Sequence, residues 1–403
     1  MRKTPQHPAQ QRGGTWFPVE AGFQTTAGNN QNVNGSGYDT WDPNMRPAVI
    51  QQFNLTGQYQ IDSHTTVQAG YVGNIGQHLA VPIWINQYSE LPPSTCDVNF
   101  MLAIEPYYTL VGPGGDVIET ASRAITNYHL LQATLQRHQT KGLELLVNYT
   151  LAKNLTNNVG YYGVDGFGVD DSFWQNINNP RGDYGPSSFD VRQMVSASAV
   201  YGLPFGRGKL FGSRWSPIVD EAFGGWQWSM TARLNTGLPM SVTQSPGNNC
   251  SNINCPGLAD YISHANRYAP LEIRGRGTVG GVFHWFGTDP SAVPCTSHYD
   301  PASGTGTAPT GGCAYGRALG FGDAGVGTLR GPGFQDYDFS LSKAFQIVES
   351  QTLKARIDAF NALNIASYGN PTTRIGGNAA SFGVIGGTIS APRQLQLSLV
   401  YQF

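Results

Sequence analysis

Apolar and polar positions alternate along much of the chain, most clearly at its end. From Gln394 to Phe403 the residues read Gln-Leu-Gln-Leu-Ser-Leu-Val-Tyr-Gln-Phe. Leu395, Leu397, Leu399, Tyr401 and Phe403 share one face of an extended strand, and the other face is polar apart from Val400. Successive strand side chains point to opposite faces, so this segment is a ribbon with one apolar and one wettable side. A soluble sandwich strand can carry the same pattern. Ending on an aromatic fits the closing strand of an outer-membrane barrel better: lipid on one side, water on the other, the ring in the interfacial girdle. About ten residues of tilted strand cross the hydrocarbon layer.

The same alternation recurs upstream. It predicts strands over Val49–Ile61 and Thr65–Ile75, joined by a short turn at Asp62 and Ser63 into a hairpin. A second pair spans Asn127–His138 and Leu143–Lys153. Val191–Tyr201 and Gly225–Asn235 follow, the latter setting Trp226, Trp228, Met230, Ala232 and Leu234 against polar neighbours. A further strand is expected over Pro239–Gln244, then Tyr337–Gln346, Thr352–Leu363 and the closing Gln394–Phe403, with Gly376–Gly387 a short strand or a Gly-rich loop. The fold class is therefore all-β: an antiparallel transmembrane β-barrel, or the C-terminal part of one, of about ten to twelve strands. Residues 1–48 read as an irregular N-terminal segment and residues 49–403 as one barrel domain, with long loops at about 76–126, 154–188 and 245–333. Short turns alternating with long loops match the periplasmic turns and extracellular loops of outer-membrane barrels.

Composition sharpens this picture. The 403 residues include 51 Gly, 25 Pro, 19 Tyr, 19 Phe and 8 Trp, and only 12% are charged, about half the usual share. A net charge of −2 gives no ground for a nucleic-acid partner. No apolar run is long enough for a membrane-spanning helix, which leaves a barrel open because alternating strands give a weak hydropathy signal. Met1–Trp16 carries Arg2, Lys3 and Arg12 without a following apolar core. An exported barrel needs a signal peptide, so the true N-terminus is expected upstream.

Candidate chemistry is sparse. Cys250, Cys255, Cys295 and Cys313 fall in one expected outer loop and suit two disulfides in an oxidising exterior, in any of three pairings. Their spacing is too loose for a four-cysteine zinc site. Cys96 is left over, a free thiol or one whose partner lies outside this chain. Asp165, Asp170 and Asp171, near Asp183 and Asp190, form an acidic Gly-rich cluster that could bind Ca²⁺, but without EF-hand spacing solvated loop acids are the favoured reading. Gly320, Gly322 and Gly325 match a dinucleotide fingerprint formally, without its strand-turn-helix context. No cofactor and no catalytic constellation is expected: there is no His-x-x-x-His pair and no Gly-x-Ser-x-Gly elbow. Arg192, Arg233 and Arg356 fall on polar strand faces, which a barrel turns to its lumen. There they tune selectivity, touch a plug or, the favoured reading, pair with acids such as Asp190 or Asp358.

Several stretches, in order, resemble the TonB-dependent receptors of the Oar-like type. They include Asp42-Pro43-Asn44-Met45-Arg46-Pro47, Asn148-Tyr149-Thr150-Leu151-Ala152-Lys153 and Leu203-Pro204-Phe205-Gly206-Arg207-Gly208. Gly224-Gly225-Trp226-Gln227, Arg330-Gly331-Pro332-Gly333 and Asp358-Ala359-Phe360-Asn361-Ala362-Leu363-Asn364 continue the set. The resemblance runs from about Asp42 to Phe403. It implies an outer-membrane barrel that takes up an unidentified large or scarce ligand, and implies as partners outer-membrane lipid, the barrel-assembly machinery, an upstream plug and barrel half, and the TonB energy complex. The family's signal peptide, TonB box and plug are not visible in these residues, so the chain reads as the C-terminal portion of such a barrel. The rival readings are a non-transporting barrel acting as scaffold or adhesin through its long loops, and a soluble carbohydrate-binding β-protein.

Overall fold

A computed structural model of the chain describes residues 38–87, 106, 107, 111, 117–140, 142–158, 174, 176–244, 263, 264, 276–279, 281–286, 325–348, 351–375 and 383–403. Nine strands form its wall: β1 (Val49–Asp62), β2 (Thr65–Trp84), β3 (Val117–Thr140), β4 (Leu143–Thr156), β5 (Gln193–Gly202), β6 (Gln227–Asn235), β7 (Phe334–Val348), β8 (Gln351–Phe360) and β9 (Gln394–Gln402). Each pairs antiparallel with the next in the chain, so the wall is an up-and-down meander whose two margins are β1 and β9. Two short strands, Tyr38–Trp41 on β3 and Gly185–Pro186 on β4, bring the sheet to eleven.

The register carries the sequence alternation across the whole wall. Leu55 stands opposite Tyr71, Tyr71 opposite Leu131, and Leu131 opposite Leu151. Further round, Leu145 meets Ala199, Ala199 meets Met230, and Met230 meets Phe339. Phe339 meets Ala359, and Ala359 meets Leu395. One face is therefore apolar from margin to margin. A one-residue slip at any pair would move a strand's whole apolar set to the other side, so each hairpin register must be held.

The short turns do that. Asp62 accepts a hydrogen bond from the His64 amide at 2.7 Å and one from the Thr65 hydroxyl at 3.2 Å, closing the β1–β2 turn with its own side chain. Gly142 sits at φ 83°, and a Cβ there would lie 3.0 Å from the Gly202 carbonyl oxygen. A side chain at that position would meet both the backbone strain and the neighbouring strand. Register shifts next to the turns, at Gln60/Asp62, Arg137/Thr140 and Gln346/Val348, place a bulge before each tight reversal.

The connections are strongly unequal. At one end, here the short-turn end, β1–β2, β3–β4 and β7–β8 are joined through residues 63–64, 141–142 and 349–350, and β5–β6 through 203–226. The other end carries the connections 85–116, 157–192, 236–333 and 361–393.

The excursion expected over 76–126 is shorter, because β2 runs to Trp84 and β3 begins at Val117. Bulges at Gly76/Leu79 and Leu79/Ala80, with His78 at φ 57°, break the alternation and so hid the continuation. Pro82 inside the run also argued against a strand. Tyr38–Trp41, in the segment expected to be irregular, pairs parallel with Val117–Thr120. Pro239–Gln244 does not join the wall; Pro239–Met240 pairs with Leu329–Arg330, and Thr243–Gln244 with Ser263–His264 and Arg374–Ile375. The expected loop 245–333 includes a small hairpin, Gly277–Val279 with Val282–His284.

Beyond the wall, the extensions of β2 and β3 build a small core at the long-connection end. Val81, Ile83, Ala121, Ala124 and Trp174 are buried together. The Trp174 indole donates to the Asn157 carbonyl at 2.7 Å, and the Arg123 guanidinium lies 5.3 Å from the ring centre. These contacts stiffen one flank of the rim where the connections begin.

Candidate functional site: the polar face and its rim

The face opposite the apolar one is lined by short polar side chains. Gln58 and Gln68 face each other, as do Gln132 and Thr150, Ser198 and Thr231, and Ser340 and Asp358. Thr134 donates to Asn148 across β3 and β4 at 2.9 Å. Charge concentrates on β6, β7 and β8. Arg233 stands opposite Asp336, with its guanidinium 5.9 Å from the Phe334 ring centre. Asp338 lies opposite Thr231 and accepts from the Asn361 amide at 2.9 Å. Arg356 grips both carboxylate oxygens of Asp358 through Nε, at 2.8 and 3.0 Å, and reaches Oδ1 through Nη2 at 2.7 Å. Residues two apart on a strand share a face, so this pair is built into the sequence of β8.

The three arginines singled out by their polar strand positions thus have different surroundings. Arg356 is engaged by Asp358. Arg233 is flanked by Asp336 and Phe334. Arg192 lies just before β5 and donates to the Ala152 carbonyl at 3.2 Å. They do not converge on one point. On the apolar face of β9, Leu395, Leu397 and Leu399 are 71%, 77% and 72% exposed, and Tyr401 and Phe403 stack at 6.0 Å beyond them.

The rim holds the arrangements that sequence reasoning missed. Asp190, with its side chain 1% exposed, forms a 2.6 Å ion pair with Arg330 and accepts from the Asn154 amide at 2.7 Å. Arg330 also donates to the carbonyls of Asp190 at 2.9 Å and Gly237 at 3.1 Å. One guanidinium therefore gathers the starts or ends of β4, β5, β6 and β7. Asn361, at φ 42°, ends β8 and donates to the carbonyls of Ile365 and Ala391, while its Oδ1 accepts from the Ile365 amide. Both residues sit in stretches that carry the family resemblance, and that was the available signal. Nearby, Arg276 lies 3.4 Å from the Trp285 ring centre, and Trp285 donates to the Arg330 carbonyl.

Among the described residues there is no group of three or more His, Cys, Asp or Glu that could hold a metal ion. Of the acidic cluster, Asp183 and Asp190 are described; Asp165, Asp170 and Asp171 lie outside the described residues, as do Cys96, Cys250, Cys255, Cys295, Cys313, Gly320 and Gly322. Arg181-Gly182-Asp183 occupies a turn, closed by the Tyr184 amide on the Arg181 carbonyl at 3.2 Å. No described helix is long and apolar enough to cross a membrane, which says nothing of strands.

No curated protein matches the sequence. Among solved structures, the outer membrane transporter YddB from Escherichia coli aligns at 9% identity and TM-score 0.40, covering 91% of this chain and 34% of that one. The siderophore receptor PiuA from Acinetobacter baumannii aligns at 9% identity and TM-score 0.37, covering 88% and 28%. The copper transporter OprC aligns at 9% identity and TM-score 0.33, covering 92% and 34%. This chain spans about a third or less of the length of those structures. The family model described as an outer membrane beta barrel domain matches residues 2–396. The chain belongs to the outer membrane beta barrel domain family, and its place is the Gram-negative outer membrane.

Proposed function

We propose that this chain is barrel wall from a TonB-dependent transporter that imports a large or scarce ligand. The observation that carries the proposal is the uninterrupted two-faced wall: nine strands in one antiparallel meander, apolar on one side and polar on the other. In a membrane the apolar face, including Leu395, Leu397, Leu399 and Tyr401, meets lipid, and the polar face lines the lumen with Arg233 and Arg356. The ordered motifs of the Oar-like receptors support the transporter reading, and the long connections at one end supply a capture surface outside the cell. Gram-negative export places the short-turn end in the periplasm.

The open margins bear on size. Among the described residues β1 and β9 each have one wall neighbour, and an unpaired strand edge is not tolerated in hydrocarbon. Further strands therefore complete the wall, as in plugged barrels of about 22 strands. On this proposal the lumenal charges face a plug, and the plug engages the TonB energy complex.

The test is the mass of the native protein in isolated outer membranes, with peptides mapped across it and TonB sought after formaldehyde cross-linking. A mass far above 43.5 kDa, plug peptides and a TonB adduct are expected. A mature product near 43.5 kDa without a TonB adduct overturns transport and favours a surface scaffold or adhesin built on the long loops.

A further inference from the structure

The β5–β6 connection breaks the pattern at the short-turn end. Where the other three reversals use two residues, residues 203–226 build a compact body with a helix, α1 (Pro217–Phe223). Ser216 caps the helix by accepting from the Val219 amide, with Pro217 in the first turn, and Gly224 closes it on the Asp220 carbonyl. Asp220 accepts from the Arg207 amide at 2.7 Å, and Phe205 packs on Phe211 at 5.7 Å, so the segment is folded on itself.

Its position is set by a lysine in an unusual place. Lys343 lies on the apolar face of β7, between Leu341 and Phe345 in the alternation, yet it is buried. Its ammonium donates to the Asp220 carbonyl at 3.3 Å and to the Glu221 carbonyl, and lies 4.9 Å from the Phe345 ring centre. Trp226 meets the same Phe345 ring edge-on at 6.5 Å and donates to the Ala222 carbonyl. The helix is therefore held against the outside of the wall, on the side that faces lipid. Neither hanging below the wall nor plugging the lumen fits these contacts.

Held there, the segment turns apolar side chains away from the protein. Leu210 is 78% exposed, Ile218 83% and Phe223 65%. Arg207, Lys209 and Arg214 are exposed on the same connection. An apolar surface next to cations suits the boundary between acyl chains and headgroups, and juxtamembrane Lys and Arg draw anionic lipid.

We propose that residues 205–223 form an interfacial foot, seated in the phospholipid leaflet at the short-turn end. Leu210, Ile218 and Phe223 enter the acyl boundary, and Arg207, Lys209 and Arg214 take anionic headgroup phosphates. The foot extends the lipid-facing belt sideways, continuous with Phe345 on the wall. This inference rests on the outer-membrane placement and is independent of whether the barrel transports.

The test uses the full chain in outer membranes, with Leu210→p-benzoylphenylalanine and Ile218→p-benzoylphenylalanine as separate photo-cross-linking probes and Ser398→p-benzoylphenylalanine as the polar-face control. Irradiation is expected to add the mass of one phospholipid at Leu210 and at Ile218, and none at Ser398. Two probe positions keep the test alive where one substitution disturbs the turn. A protein adduct, or no lipid adduct, at both positions overturns the foot. In discs of phosphatidylethanolamine doped with phosphatidylglycerol, the triple change R207Q/K209Q/R214Q is expected to lower the phosphatidylglycerol share of the Ile218 adduct at least threefold. An unchanged share overturns the headgroup assignment.

Discussion

Asp190 and Arg330 stand 140 residues apart in the chain and 2.6 Å apart in space, with the carboxylate fully enclosed. The pair joins the approach to β5 with the approach to β7, and Arg330 adds the carbonyls of Asp190 and Gly237. Removing one partner of an enclosed ion pair leaves the other charge unsatisfied, a loss of about 3–5 kcal/mol where both are buried. Arg330 is 35% exposed, so solvent screens part of that. Asp190→Asn is expected to lower stability by about 2 kcal/mol, read as an earlier urea midpoint in detergent. An unchanged midpoint would mean that the pair holds nothing together.

The apolar face of β9 makes a second prediction. Leu397→Lys puts an ammonium into hydrocarbon at mid-strand, a cost of about 2–4 kcal/mol. The variant should fail to reach the heat-modifiable folded form in outer membranes, while the neighbouring Ser398→Lys on the polar face should assemble. Normal assembly of both would place lipid on the wrong side of β9.

Asn361 combines a left-handed backbone with three side-chain hydrogen bonds, to the Ile365 carbonyl and amide and to the Ala391 carbonyl. Asn tolerates that conformation far better than most residues. Asn361→Leu loses the bonds and strains the backbone, for about 3 kcal/mol in total. Asn361→Gly relieves the strain alone and should recover roughly 1 kcal/mol of it. Hydrogen exchange across 361–375 and 383–393 should accelerate in both variants, more in the first; equal rates would show that Asn361 does not anchor this connection.

Lys343 is the clamp under α1. With Lys343→Met the Glu221 carbonyl loses its ammonium donor and the Asp220 carbonyl keeps only the Gly224 amide, and charged hydrogen bonds of this kind contribute about 1.5–3 kcal/mol. Trypsin cleavage after Arg207, Lys209 or Arg214 in detergent should quicken about tenfold, the equivalent of about 1.4 kcal/mol of local opening. Unaltered cleavage would show that the helix is held by its aromatic contacts alone.

What could be seen in the sequence follows from where the physics is local. The wall strands were legible because each must be greasy on one side and wet on the other along its own length, as Gln394–Phe403 and Gly225–Asn235 are. The extensions of β2 and β3 were not, because consecutive residues there are buried alike. Val81, Pro82 and Ile83 are all buried, so alternation has nothing to report there. Helix α1 is too short for a period, and its one clear mark, a lysine at an apolar position, sits on a different element. The Asp190–Arg330 pair depends on how distant connections meet, which no window of sequence contains. The Arg356–Asp358 pair could be anticipated, since both ends lie on one strand face.

β1 runs toward the short-turn end, and so does β9, because nine alternating strands begin and end with the same heading. Joined directly, the margins would make a seam of parallel strands in an otherwise antiparallel wall. A cylinder with no such seam has even parity, so in the proposed larger barrel the strands beyond these nine must be odd in number. If the proposed plugged barrel has about 22 strands, thirteen would complete it. On the proposed completion by further strands, their parity is set by the heading of Val49–Asp62 relative to Gln394–Gln402.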